Sequence, residues 1–213
     1  MHNLKLLIFA VLVCTGNVSS AQADHIPMKD ISGFKMQLDK MTGSVQTIES
    51  DFVQEKSLSV LSNRIISRGS FSFRKENNIR WEYTKPYQYL IILSGGRIFI
   101  KEESGQKQYD IQSNKMFMEM NRFISGCIQG DILKNDRDYQ IEYLENGQEY
   151  FVKLVPSSPS LREMLSEVQI AFDRNDLTVI RITMVESGGD YTRIDFINKK
   201  LNTDIPVEKF NFN

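Results

Sequence analysis

The chain reads as an α+β protein: a curled antiparallel sheet, an incomplete β-barrel of about nine to eleven strands, with helices covering its concave face. Three observations predict this. Between Gly69 and Pro86, Phe71, Phe73, Ile79, Trp81 and Tyr83 all fall on odd positions, with Ser70, Ser72, Arg74, Asn78, Arg80 and Glu82 between them. That is the period of two expected of strands with one apolar and one polar face. Turn residues (Asn77-Asn78, Gly95-Gly96, Asn146-Gly147, Gly188-Gly189) punctuate the chain at hairpin spacing. Only two stretches step by three and four, so few helices are available to cover a wide sheet.

Taken in order, residues 1–23 read as a signal peptide. Lys5 precedes the apolar run Leu6–Val13, and Ala21-Gln22-Ala23 supplies an A-x-A cleavage site. The run is too short to span a bilayer. Cys14 follows Val11-Leu12-Val13, where a lipidation signal wants a small residue. The expected product is exported and soluble: residues 24–213 as one domain, 190 of the 213 residues. Removing Lys5 from the 26 cations leaves 25 against 27 acids, a net charge of −2. No basic excess points to nucleic acid or to an anionic membrane surface.

The histidine and cysteine counts narrow the chemistry. Of two histidines and two cysteines, only His25 and Cys127 survive processing. No internal disulfide can form, and Ser-His-Asp or Cys-His catalysis has no credible base. A histidine-based metal site is likewise excluded, and no metal or cofactor is expected. Counting leaves carboxylate-only catalysis open, as in a carboxylate-dependent hydrolase, but the acids are scattered singly along strands and turns and the chain does not read as an enzyme. His25 adjoins the new N-terminus, where order is least expected.

Residues 27–44 form an amphipathic helix, with Pro27 at its start, Ile31, Phe34, Leu38 and Met41 on one face, and Gly43 at its end. Strands follow at 47–55, 64–73 and 79–84, the last ended by Pro86. A hairpin over 89–93 and 97–102 turns at Gly95-Gly96, and 108–112 is a further strand. Residues 113–129 switch period: Met116, Phe117, Met120, Phe123, Ile124, Cys127 and Ile128 predict a second helix, stopped by Gly130. Strands resume at 139–144, 149–155, 168–173, 178–186 and 190–198, with a helical turn near 161–165. The tail 205–212 alternates again, ending on Phe210 and Phe212.

The ordered set Phe52-x-Gln54, Gly69-x-Phe71-x-Phe73, Arg80-Trp81-x-Tyr83-x-x-Pro86, Tyr109-Asp110, Phe172-Asp173, Gly189-Asp190-Tyr191-Thr192 and Phe210-x-Phe212 resembles the outer-membrane lipoprotein carrier (LolA) family. The resemblance runs along the whole mature chain. It implies a periplasmic, monomeric carrier that holds the acyl chains of lipoproteins in a hydrophobic cavity. Such a carrier receives cargo from an inner-membrane release complex and delivers it towards the outer membrane, where an acceptor is a possible partner. A lipid or lipoprotein sensor of related fold, signalling to a membrane partner, is the alternative. On the carrier reading, Phe71, Phe73, Ile79, Trp81 and Tyr83 line the acyl cavity, facing Met116, Phe117, Met120 and Phe123. The alternative is that both sets pack together as a dry core. The resemblance also implies a lid-latching arginine, in a Lys-Arg-Pro segment six residues before Trp81, and this chain departs from that pattern. That position is Lys75, with Arg74 one residue out of phase; both are latch candidates, and ordinary hairpin-end charges are the alternative. Arg80 and Glu82 are expected as a solvated outer-face pair.

Overall fold

The structure, a computed structural model, describes residues 24–61, 63–113, 125–128, 130–134, 137–163 and 165–212. Twelve strands form one antiparallel sheet: β1 Ile26–Pro27, β2 Thr47–Ser57, β3 Ile65–Arg74, β4 Asn78–Lys85, β5 Tyr89–Ser94, β6 Arg97–Glu102, β7 Gly105–Asp110, β8 Tyr139–Glu145, β9 Glu149–Pro156, β10 Leu165–Asp173, β11 Val179–Glu186 and β12 Tyr191–Leu201. Their order is β1-β8-β9-β10-β11-β12-β2-β3-β4-β5-β6-β7. Two meanders are thus joined along one seam, where Tyr191–Ile197 of β12 pairs with Asp51–Ser57 of β2. The end strands do not meet, so the barrel stays open.

Helix α1, Ile31–Ser44, lies on the concave face and buries Phe34 and Leu38. It begins four residues later than the periodicity predicts. The Asp30 carboxylate accepts from the Gly33 amide at 2.8 Å as its N-cap, a stronger start signal than Pro27. Pro27 instead belongs to β1, a two-residue strand too short to leave a periodic trace. His25 is anchored rather than loose: its Nε2 lies 3.0 Å from Glu149 Oε1, and its ring stacks on Phe151 at 4.4 Å.

The β3–β4 turn shows why these residues make hairpins. Glu76 and Asn77 take positive φ (75° and 62°), one residue earlier than the expected Asn77-Asn78 pair. In β3, a Cβ on Gly69 would stand 1.9 Å from the Glu82 carbonyl oxygen and 2.7 Å from the Phe52 ring. Only glycine lets Phe52 lie across the strand there.

The tail is not a strand. Residues 202–206 run irregularly into a 3-10 turn, Val207–Phe210, on the convex face of β3–β6. Ile205 and Phe210 are buried there against Ile92 and Phe99, and Phe212 stacks on Phe99 at 5.6 Å. Burial on both faces explains why β5 and β6 carry the unbroken apolar runs Leu90–Leu93 and Ile98–Ile100 instead of alternating. Arg80 is correspondingly not a free surface cation: it bridges Glu82 at 3.0 Å and donates to the Lys209 carbonyl at 3.3 Å. Residues 125–128 are helical, and the rest of the expected second helix lies outside the described residues.

Candidate functional site

Beneath α1 lies an apolar cavity of about 320 Å³. Its roof is the C-terminal half of α1, through Leu38, Met41 and Thr42, with Cys127 and Ile128 beside them. Its floor is the seam: Ile48, Ser50 and Gln54 from β2, Ile194 and Phe196 from β12, with Ile182 and Met184 of β11 alongside. Its aromatic wall comes from β3 and β4. The Phe71 and Trp81 centroids lie 5.2 Å apart, with Phe196 5.7 Å from Phe71 and 6.1 Å from Trp81. Phe52 sits behind, 5.2 Å from Trp81 and 5.0 Å from Tyr83. Edge-on and tilted rings at such distances form a stiff surface.

Strand period alone places Phe71, Phe73, Ile79, Trp81 and Tyr83 on the same concave face, yet the structure divides them. Phe71, Trp81 and Tyr83 line the cavity. Phe73 and Ile79 do not reach it: both are sealed in core, 2 % and 0 % exposed, at the turn end of the hairpin. Both pack in one cluster with Val45, Leu93 and Ile98. Met116, Phe117, Met120 and Phe123 lie outside the described residues.

Polar groups mark two ends of the cavity. At one end Tyr83 donates its hydroxyl to Gln54 Oε1 at 2.9 Å, which gives Gln54 a role that no strand pattern suggests. Burial, then the neighbouring Tyr89, pushes the Tyr83 phenol up to about 12, so it is a neutral donor. The Trp81 indole lies close enough to the phenol to lower it slightly, but its N–H is buried and has no hydrogen-bond partner among the described residues. At the other end a β-bulge between Ile197 and Lys200, with Asn198 at φ 55°, turns Lys199 towards the concave face. The Lys199 ammonium donates to Thr178 Oγ1, and that hydroxyl donates on to Asp176 Oδ1 at 2.5 Å. Desolvation lowers the lysine's pKa against the pull of Asp176 and Asp173. Burial raises the Cys127 thiol well above its usual range, so it behaves as a small apolar side chain.

The two latch candidates point to opposite faces. Lys75 donates through Nζ to the Gly43 carbonyl at 3.2 Å, in the last turn of α1. Arg74 donates to the Ile205 carbonyl at 2.6 Å and so holds the C-terminal tail. Among the described residues no His, Cys, Asp and Glu cluster could hold a metal.

The family described as outer membrane lipoprotein carrier protein LolA matches residues 43–213. The chain belongs to the LolA family. LolA-family relatives agree over almost the full length. The outer-membrane lipoprotein carrier protein of Methylococcus capsulatus is 26% identical, covering 100% of this chain and 94% of the relative. That of Leptothrix cholodnii is also 26% identical, covering 95% and 88%. Among solved structures, MucB in its complex with MucA from Pseudomonas aeruginosa superposes with a TM-score of 0.54 at 12% identity. That match covers 86% of this chain and 61% of the other, and it shows a shared fold. Within this LolA-type sheet, sequence pattern alone did not single out Ile182, Met184, Ile194 and Phe196 as cavity residues. Their alternation is visible, but only the β12–β2 register brings their face opposite Trp81.

Proposed function

We propose that the protein is a periplasmic carrier that holds the acyl chains of lipoproteins in this cavity and passes them from the inner towards the outer membrane. The single observation that supports the reading most is an apolar cavity, walled by Phe71, Trp81 and Phe196, in a member of a family described as lipoprotein carriers. Each methylene removed from water stabilises a complex by about 0.8 kcal/mol, so acyl chains reward such a lining and polar ligands do not. On this reading residues 1–23 direct export, residues 24–213 act as one domain, and the protein binds cargo without transforming it. Its partners are acylated lipoproteins, an inner-membrane release complex and an outer-membrane acceptor.

The volume adds a mechanical consequence. At about 30 Å³ for each water-sized group, 320 Å³ holds on the order of ten methylenes. That is less than one full acyl chain, so on this reading a whole chain is accommodated by its end projecting from the open mouth or by α1 lifting from the sheet. Lys75, holding the end of α1 by one exposed hydrogen bond, is placed to resist that motion without preventing it.

The test is native mass spectrometry of protein purified from the periplasm while delivery to the outer membrane is blocked. The expected result is a complex carrying acylated lipoprotein. Protein that never carries an acylated species under that block overturns the proposal.

A further inference from the structure

The opposite side of the sheet from the β3–β4 turn presents an apolar rim that the cavity does not use. Val60 is 86% exposed, Tyr87 71%, and Leu61, Ile66 and Ile65 between 47% and 40%. Val60 and Leu61 occupy the β2–β3 connection, Ile65 and Ile66 open β3, and Tyr87 follows the end of β4, which pairs with β3 through Lys85 and Arg68. These side chains therefore gather on one edge. The loop is held out rather than left loose: the Leu61 amide donates to the Leu58 carbonyl at 2.9 Å, and the Ser59 amide to Asp190 Oδ1 at 2.6 Å. Exposed apolar side chains fixed on a projecting tip are costly unless something covers them.

We propose that this rim inserts its apolar tip into the surface of a lipid bilayer. Two features favour a bilayer over a protein groove. The first is charge. Arg68 and Lys85 flank the tip, and neither has an ion pair among the described residues. Arg64 and Lys56 nearby are neutralised by Glu55 at 3.0 Å and Glu186 at 3.8 Å, and Asp190 keeps its charge while accepting from the Ser59 amide, so Arg68 and Lys85 are the cations that an anionic surface would meet. On the Tyr87 side, Glu102 and Glu103 of the β6–β7 turn share a surface pocket with Thr84, Gln88, Tyr89 and Lys101, so the cationic border is confined to the Arg68–Lys85 side. Aliphatic residues bordered by cations suit an anionic lipid interface. The second is position. Gln54 lines the cavity and pairs with Ser67, while Lys56, two residues on, pairs with Ile65. At about 3.3 Å per residue, the rim begins about 7 Å beyond that end of the cavity. A bilayer touching the rim brings acyl chains within a short slide of the Tyr83–Gln54 end. This inference goes beyond the carrier reading, and its test stands apart from it.

The experiment is co-flotation of the periplasmic protein with vesicles of phosphatidylethanolamine and phosphatidylglycerol, and separately with vesicles of phosphatidylcholine. Wild-type protein is expected to float with both and to prefer the anionic set. The double variant Val60→Ser/Leu61→Ser should bind about tenfold more weakly or worse. Arg68→Gln/Lys85→Gln should lose the anionic preference alone. Trp81 is the sole tryptophan, and its fluorescence response to a synthetic triacylated cysteinyl peptide, without vesicles, should be the same in wild type and both variants. That control shows that the variants are folded, and it reads the cavity independently of the rim. No flotation with either vesicle, or flotation untouched by the Val60/Leu61 variant, overturns the proposal in favour of a protein partner for the rim.

Discussion

Two ends of one hairpin face differ more than its sequence does. Phe73 and Ile79 at the turn end of β3 and β4 are sealed, while Phe71, Trp81 and Tyr83, two to four residues along, border empty space. Strand period places all five on the same side and says nothing about what lies above them. The turn end is also clamped from both faces, by Lys75 to α1 and by Arg74 to the tail. At the far end Tyr83 donates to Gln54 and Thr84 to the Arg68 carbonyl, and the Trp81 indole has no partner among the described residues. On the carrier reading a division of labour follows: a filled, clamped end maintains the curl of the sheet, and an open end would accommodate cargo.

The largest effect expected from breaking this division is at Phe73. Phe73→Ala should cost about 3–5 kcal/mol in urea denaturation, since a fully buried ring leaves a cavity that its neighbours cannot fill. Loss of cargo without loss of stability in that variant contradicts the assignment. Met184→Lys tests the other end. Met184 is only partly buried and lines the cavity, so its ammonium can stay hydrated and the protein should fold. Binding of a triacylated peptide should weaken at least tenfold, about 1.4 kcal/mol, because acyl chains must then desolvate a charge. A variant that unfolds instead would show this end to be core as well.

How much of this was legible in advance follows from what each signal encodes. The strands of the two meanders show in the sequence because alternation and turn residues are local. The concave parity of Phe71, Trp81 and Tyr83 follows from the same pattern. Their partners Phe196 and Met184 were hidden by distance in sequence: the β12–β2 seam joins residues over 130 positions apart, and no local rule sets that register. The tail misled for a related reason. Ile205, Phe210 and Phe212 look like an alternating strand, but they dock on Ile92 and Phe99 as an irregular cover. The apolar run Leu90–Leu93 was the available sign that the convex face had to be covered. The role of Gln54 was illegible, since it depends on one hydroxyl across two strands.

The latch sharpens the comparison with smaller effects. Arg74 is half-buried and makes a short charge-assisted bond, so Arg74→Leu should cost about 1.5–3 kcal/mol by freeing the tail. Lys75 is exposed, and Lys75→Leu should change stability by only a few tenths of a kcal/mol. Its effect should appear instead in the rate of cargo uptake and release, measured by stopped-flow Trp81 fluorescence. The reverse pattern, with Arg74→Leu altering exchange and Lys75→Leu altering stability, transfers the latch to Arg74.

The smallest effect is a pH dependence confined to the clamped end. Glu49, on the convex side of β2, takes Lys209 Nζ at 2.7 Å and the Thr203 hydroxyl at 3.2 Å. The hydrogen bond from Lys209 is the main cause of its lowered pKa, opposed by desolvation and helped by Lys209's charge. A carboxylate depressed in the folded state contributes stability above its unfolded value, here 4.5, and loses it as pH falls through the folded one. Both partners are about a third exposed (34% and 33%), so the contribution is below about 1 kcal/mol. Acidifying below pH 4.5 should therefore raise hydrogen exchange first in residues 203–212, with the Trp81 environment unchanged. Glu49→Gln should abolish that step. If Trp81 emission shifts together with tail exchange, the two ends of the hairpin are one cooperative unit, and the division argued from Phe73 and Tyr83 does not extend to dynamics.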